Sequence, residues 1–380
     1  MKTLAEQAGQ LLTIGFEGQE CGRELRSLLK EVRPGGVIFF QRNIATAEQF
    51  RTLMIQIREV LGTPHPFLGI DQEGGQVDRF RELLGPLPSA RDAAQAGLAF
   101  ELGDLAGREL AAFGLNVDFA PVLDIGSPDS RAILGTRTAG DIPEQVMQFA
   151  TGFLRGLSGW NVLSCGKHFP GLGSGLKDSH LAMPVIETTE QEIRERDVKP
   201  YRSLVAGLPM VMVAHAWYPA LEQALASDGR PAAQPIPASL SPNIIQGLLR
   251  GQIGYRGLAV CDDLEMGGVL EGRTVEEAAV EAVRAGCEIL LVCRHAEHVE
   301  RVHTALVCKS ESDSSFHEQV ARTAQRIQVQ KHSGSFEVGT ELVTFADLEK
   351  LRRDIQQFGE RIRLRLENEA DAPDEESVET

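Results

Sequence analysis

Residues Gly257-Leu258-Ala259-Val260-Cys261-Asp262-Asp263-Leu264-Glu265-Met266 form a short apolar run that stops abruptly at two aspartates. Such a run, apolar in both alternating directions, reads as a strand buried on both faces, the habit of a parallel sheet. Seven more runs of the same kind precede or follow it: Leu11 to Phe16, Gly36 to Phe40, Phe67 to Asp71, Val117 to Leu123, Val162 to His168, Val211 to His215 and Glu288 to Cys293. Helical periodicity fills the gaps, as in Leu98 to Phe113, Gln145 to Leu157 and Val275 to Ala285, the last opening with Thr274 three residues before Glu277 in a capping box. Eight strand-helix units predict an α/β fold, a (β/α)8 TIM barrel in one domain; a doubly wound open sheet is the alternative.

Several runs end on a polar residue: Asp71, Asp124, Lys167 with His168, His215, Asp262, and Arg294 with His295. A parallel barrel delivers all carboxyl strand ends to one face, where barrel enzymes hold their chemistry, so one composite site is expected there. The barrel is assigned to residues 1–308, a charged helical extension to 309–366, with helices from Glu311 to Gln330 and Phe345 to Leu366, and an acidic disordered tail to 367–380. Glu222 to Pro237, rich in Ala, Pro and polar residues, reads as a long surface loop.

Composition narrows the function classes. A net charge of −16 with no basic cluster argues against nucleic-acid binding. The N-terminus turns polar before any signal-like apolar run, and no stretch approaches ~18 apolar residues, so no membrane association and a cytoplasmic location are expected. The six cysteines form no CxxC pair and read as reduced thiols.

Three constellations carry candidate chemistry. In Gly69-Ile70-Asp71-Gln72-Glu73-Gly74-Gly75-Gln76-Val77-Asp78-Arg79, a strand end presents Asp71 and paired glycines let Arg79 turn back toward it. The two either grip sugar hydroxyls by charge-assisted hydrogen bonds or brace the loop as a buried ion pair. In Lys167-His168-Phe169-Pro170-Gly171-Leu172-Gly173-Ser174-Gly175-Leu176-Lys177-Asp178-Ser179-His180, glycines loosen a loop that could carry His180 over the site, with Asp178 near enough to orient the imidazole. A solvated surface histidine is the competing reading. Of Asp262 and Asp263, strand alternation sends one into the mouth while the other caps or braces, or both cap helices. A metal site built from His168, Asp178, His180, His215 and Asp262 ranks lower, because no HExxH or strand-end His-x-His occurs.

At these motifs the chain resembles the family-three glycoside hydrolases, most closely the single-domain bacterial β-N-acetylhexosaminidases of peptidoglycan recycling. The resemblance spans roughly Leu4 to Leu306, and the Lys-His-Phe-Pro-Gly start and Asp-Ser-His end of the second motif carry it most specifically. It implies a barrel glycosidase with Asp262 as nucleophile, His180 as acid/base and Asp178 as its partner, and with Asp71, Arg79, Arg137, Lys167 and His168 contacting sugar. It implies no metal or organic cofactor. The expected substrate is a carbohydrate with terminal β-linked N-acetylglucosamine (GlcNAc), as in GlcNAc-1,6-anhydro-N-acetylmuramic acid with or without peptide, hydrolysed with retention by a monomer. Leu172 departs from the histidine many relatives have there, which bears on fine specificity. The alternatives are a phosphorylase or β-glucosidase of the same family, or a non-catalytic sugar-binding barrel.

Overall fold

A computed structural model describes residues 2–62, 65–128, 130–173, 183–226, 234–333 and 344–370. Its strands are β1 (Leu12–Ile14), β2 (Gly36–Phe39), β3 (Phe67–Ile70), β4 (Val117–Asp118), β5 (Leu163–Phe169), β6 (Met210–Val213), β7 (Leu258–Cys261) and β8 (Ile289–Val292). They pair in parallel and in sequence order, and β8 returns to β1 through Leu12–Leu290, Thr13–Leu291 and Ile14–Val292, closing the barrel. The eight apolar runs are thus the eight staves of a TIM barrel. All of β1, β2, β3, β6, β7 and β8 is buried, as expected when side chains fill the barrel on one side and meet helices on the other.

The fourth stave is much shorter than its apolar run. Pro121 has no N–H for the ladder, so regular pairing of β4 stops at Asp118, and Val122 rejoins β5 only as an isolated bridge to Lys167.

The helices include α1 (Leu4–Gln10), α2 (Arg23–Val32), α3 (Ala47–Leu61), α4 (Ala99–Phe113), α5 (Pro143–Ser158), α6 (Lys199–Leu204), a wide π-type helix at Asn243–Gln252, α7 (Val275–Ala285), α8 (Ala296–Ser312), α9 (Ser314–Ser333) and α10 (Phe345–Ala370). The Thr274–Glu277 capping box starts α7, and Gly286 in the left-handed region (φ 112°) stops it. Helices α4 and α5 touch backbone to backbone: a Cβ on Gly103 would sit 2.1 Å from the Phe153 carbonyl oxygen.

The C-terminal helices pack on the barrel's outside. Phe316, Val320, Ala324 and Ile327 of α9 are buried near α1 and α8, while Leu351, Ile355, Phe358 and Ile362 of α10 are buried beside α4. Two assigned boundaries move. Position 308 falls inside α8, and α10 runs on to Ala370 rather than stopping at 366; residues 371–380 lie outside the described residues. The segment read as a loop from Glu222 begins as helix, Pro219–Leu225, because Leu221 and Glu222 are buried against the fold. No helix among the described residues is long and apolar enough to cross a membrane. All six cysteines are free, five of them buried.

Candidate active site

One cavity of about 310 Å³ opens at the carboxyl ends of the strands, and Asp71, Arg79, Arg137, Lys167, His168 and Asp262 all line it. The barrel thus brings together residues separated by nearly two hundred positions, as the convergence of strand ends requires. Asp178 and His180 lie outside the described residues; Leu172, in the cavity wall, and Gly173 immediately precede their segment.

At the cavity floor is a charge network that the sequence reading names only in part. The Lys167 ammonium donates to Asp71 at 2.7 Å and pairs with Glu73 at 2.6 Å. Arg137 donates to both oxygens of Glu73, from Nε to Oε2 at 2.8 Å and from Nη2 to Oε1, which it shares with Lys167, at 3.0 Å. Burial works against all three charges. For Glu73 the Arg137 guanidinium and the Lys167 ammonium outweigh it and hold the carboxyl far below its usual range. For Lys167 the Asp71 and Glu73 carboxylates outweigh it and hold the amine protonated. Arg79 is looser: its Nη2 lies 3.7 Å from Asp71, and its guanidinium faces the Phe40 ring at 5.9 Å, so it stays available on the wall.

His168 is fixed by Asp124. The carboxylate contacts His168 Nδ1 at 2.7 Å, accepts from the Leu172 N–H at 2.7 Å, and so ties the ring to the start of the following loop. With Nδ1 engaged, Nε2 is the ring nitrogen left for a ligand. Neither Glu73 nor Asp124 has an assigned role in the sequence reading, although Glu73 sits inside a quoted motif and Asp124 ends a strand run.

Asp262 and Asp263 both touch the cavity, but their surroundings differ. Asp263 is a brace: its Oδ1 accepts from the N–H groups of Glu265 at 3.1 Å and Cys293 at 3.3 Å. Burial raises its carboxyl to about 6. Burial would raise Asp262 too, yet the His215 and His168 rings, the Asp263 N–H at 2.8 Å and Lys167 together bring it below the ordinary aspartate range. It is the more readily ionised of the two.

His215 is not a free ligand. Its Nδ1 meets the Ser239 hydroxyl at 2.7 Å and its Nε2 the Asp263 carbonyl oxygen at 3.0 Å, and burial lowers its pKa against the opposing pull of Asp262, so the ring props the Asp262–Asp263 turn. This removes it from any metal site with Asp262 as the ring stands. A second buried network holds the Asp71–Arg79 loop from behind: the Gln72 amide donates to Asp78 at 2.8 Å and Glu109 at 2.7 Å, and its backbone N–H donates to Asp118 at 3.0 Å. Burial pushes the Glu109 and Asp118 carboxyls well above the usual carboxylate range.

A closed eight-stranded barrel with this mouth has the architecture of many sugar-cleaving enzymes, and comparison with known proteins defines the class. The profile described as "Glycosyl hydrolase family 3 N terminal domain" matches residues 3–328, and the chain belongs to this family of glycoside hydrolases. It is 38% identical over 301 residues to the β-hexosaminidase of Alkalilimnicola ehrlichii, covering 77% of this chain and 82% of that protein. A β-hexosaminidase of Pseudomonas aeruginosa is 35% identical over 79% of this chain and 86% of its own length. Among solved structures, a family 3 β-N-acetylglucosaminidase from Paenibacillus sp. superposes with a TM-score of 0.84 at 33% identity, covering 95% of this chain and 69% of that one. Native NagZ from Neisseria gonorrhoeae gives 0.74 at 29% identity, covering 91% and 97%.

Proposed function

We propose that this glycoside hydrolase removes terminal β-linked GlcNAc by a retaining double displacement, with GlcNAc-1,6-anhydro-N-acetylmuramic acid, free or peptide-bearing, as its substrate in peptidoglycan recycling. Asp262 attacks C1 while His180, oriented by Asp178, protonates the leaving oxygen; His180 then activates water to release the sugar. The observation that carries this reading is Asp262 itself, a carboxylate at the end of β7 whose surroundings favour its ionised form and which shares one cavity with Asp71, Lys167 and His168. A nucleophile must be ionised before attack, and these neighbours supply that state without a metal.

The remaining wall suits a single sugar ring. A cavity of about 310 Å³ lies at the lower end of the range for small ligands, and its floor presents acceptors on Asp71 and donors on Lys167, Arg79 and Arg137 for hydroxyl groups. Relatives named β-hexosaminidases support the acetamido sugar as donor. The Arg294 side chain, exposed on the cavity rim, fits an aglycone that carries a carboxylate. Free thiols, five of the six buried, fit work in the reducing cytoplasm.

The test is hydrolysis of p-nitrophenyl β-GlcNAc in phosphate-free buffer, with the product anomer read by proton NMR. Turnover with the β-anomer released first, and a fall in kcat of about 10⁴-fold or more in Asp262→Ala, are expected. An α-anomer as first product, or a variant within about tenfold of the parent, would overturn the assignment.

A further inference from the structure

Outside the catalytic cavity, the loop after β7 meets the loop after β8 at three side chains of the metal-ligating kind. Glu265 is nearly buried, with 3% of its side chain exposed, and its Oε1 lies 2.6 Å from Nδ1 of both His295 and His298. One nitrogen of each ring and one carboxylate oxygen all fall within 4.8 Å of one another. We propose that Glu265, His295 and His298 bind a divalent transition-metal ion of the zinc class. The ion would clamp the turn that follows Asp262 to the start of α8, beside the rim residue Arg294.

The donor set, two imidazole nitrogens and one carboxylate oxygen, suits zinc, nickel or copper rather than magnesium or calcium, which favour oxygen alone. The carboxylate is oriented in advance, as ligating carboxylates are: the Arg294 N–H donates to Oε2 at 2.5 Å and the His295 N–H to Oε1 at 3.2 Å. The two rings converge on that one oxygen from a helix start, with centroids 4.9 Å apart and planes at 65°. Ligand atoms around a tetrahedral ion at ~2.0 Å stand ~3.3 Å apart, so each nitrogen–oxygen contact need open by only about 0.7 Å. His295, whose side chain is 58% exposed, can make that adjustment and leaves a side open for ion entry and a water ligand.

Hydrogen bonding alone could hold two imidazoles against a capping carboxylate, and two features oppose a cation here. The positive end of the α8 dipole points toward the site, and the Glu265 oxygens already accept backbone N–H groups. These limit the expected affinity to roughly micromolar rather than the far tighter binding of a closed structural zinc site. The site is separate from His168 and Asp262, which line the catalytic cavity.

The experiment titrates zinc chloride into the metal-stripped full chain by calorimetry, and records the visible spectrum of the cobalt(II) form. The parent, His295→Ala, His298→Ala and Asp262→Asn are compared. The expected result is a binding event that weakens by about tenfold or more in each histidine variant and persists in Asp262→Asn. Zinc should also raise the melting temperature of the parent and of Asp262→Asn, but not of either histidine variant. Circular dichroism and metal-free melting check that the histidine variants fold, as expected because neither ring is in the core. Absence of binding by the parent, binding unchanged in both histidine variants, or binding lost only in Asp262→Asn would overturn the proposal.

Discussion

Replacing Glu73 with glutamine tests the floor of the cavity most severely. Among the described residues, Glu73 is the one that forms ion pairs with both Lys167 and Arg137, at 2.6 Å and 2.8 Å. Its side chain and that of Lys167 are each 3% exposed, so solvent cannot replace the lost charge. Glutamine keeps the shape but removes the anion. Lys167 retains Asp71, whereas Arg137 loses its only ion-pair partner among the described residues. Removing one member of a buried pair costs about 3–5 kcal/mol, because the other charge is left desolvated. With an unfolding entropy of ~2.1 cal/mol/K per residue over the ~340 described residues, that corresponds to a melting temperature lower by about 4–7 °C. Calorimetry near neutral pH measures the shift, and a double-mutant cycle with Arg137→Met isolates its origin. The cycle should show a coupling of more than about 1.5 kcal/mol, since removing both partners abolishes the stranded charge. An unchanged melting temperature, or strict additivity, would refute the claim that Glu73 holds the floor together. Folded Glu73 has its carboxyl pulled far below the unfolded value, so its contribution should be complete above the unfolded pKa of ~4.3 and fade only as pH falls toward the folded one.

Three further outcomes follow from other parts of the molecule. Lys331 is buried beside the Gln10 Oε1 atom at 3.1 Å, and burial lowers its amine to about 7. The unfolded chain then binds the extra proton up to ~10.4, so stability should rise between these values, and Lys331→Met should flatten that slope and add up to ~4 kcal/mol near pH 7, as read by urea titration at several pH values. Gly103→Ala drives a methyl to 2.1 Å from the Phe153 carbonyl oxygen and should destabilise the chain by about 1–3 kcal/mol by parting α4 from α5; a neutral effect in urea would contradict that close approach. Cys308 is exposed while the other five thiols are buried, so a thiol reagent should modify one cysteine in the native chain and all six after denaturation, counted by mass spectrometry.

The barrel was legible because each stave is buried on both sides and therefore reads as an unbroken apolar run, and because the polar residue that ends the run marks the mouth. Asp71, Lys167, His168 and Asp262 can be named on that basis and Arg79 from its place in the Asp71 motif, while Arg137 is reached only through the family resemblance. What the runs do not encode is side-chain direction once the strand has ended. Glu73 lies two residues past Asp71, where no strand period constrains it, and only the fold shows it between Lys167 and Arg137. His215 ends a strand as the site residues do, yet its ring turns to Ser239 and the Asp263 carbonyl. The short fourth stave could have been anticipated from Pro121. Glu222 reads as loop because its surroundings are polar and proline-rich, but contacts made through Leu221 and Glu222 give it a helix.

The most direct measurement of the proposed chemistry is covalent capture. Incubation with a 2-fluoro glycosyl donor, followed by proteolysis and peptide mass spectrometry, should place the trapped sugar on Asp262, the carboxylate whose neighbours favour its charged form. A sugar found on Asp263, Asp71 or any other residue would contradict it.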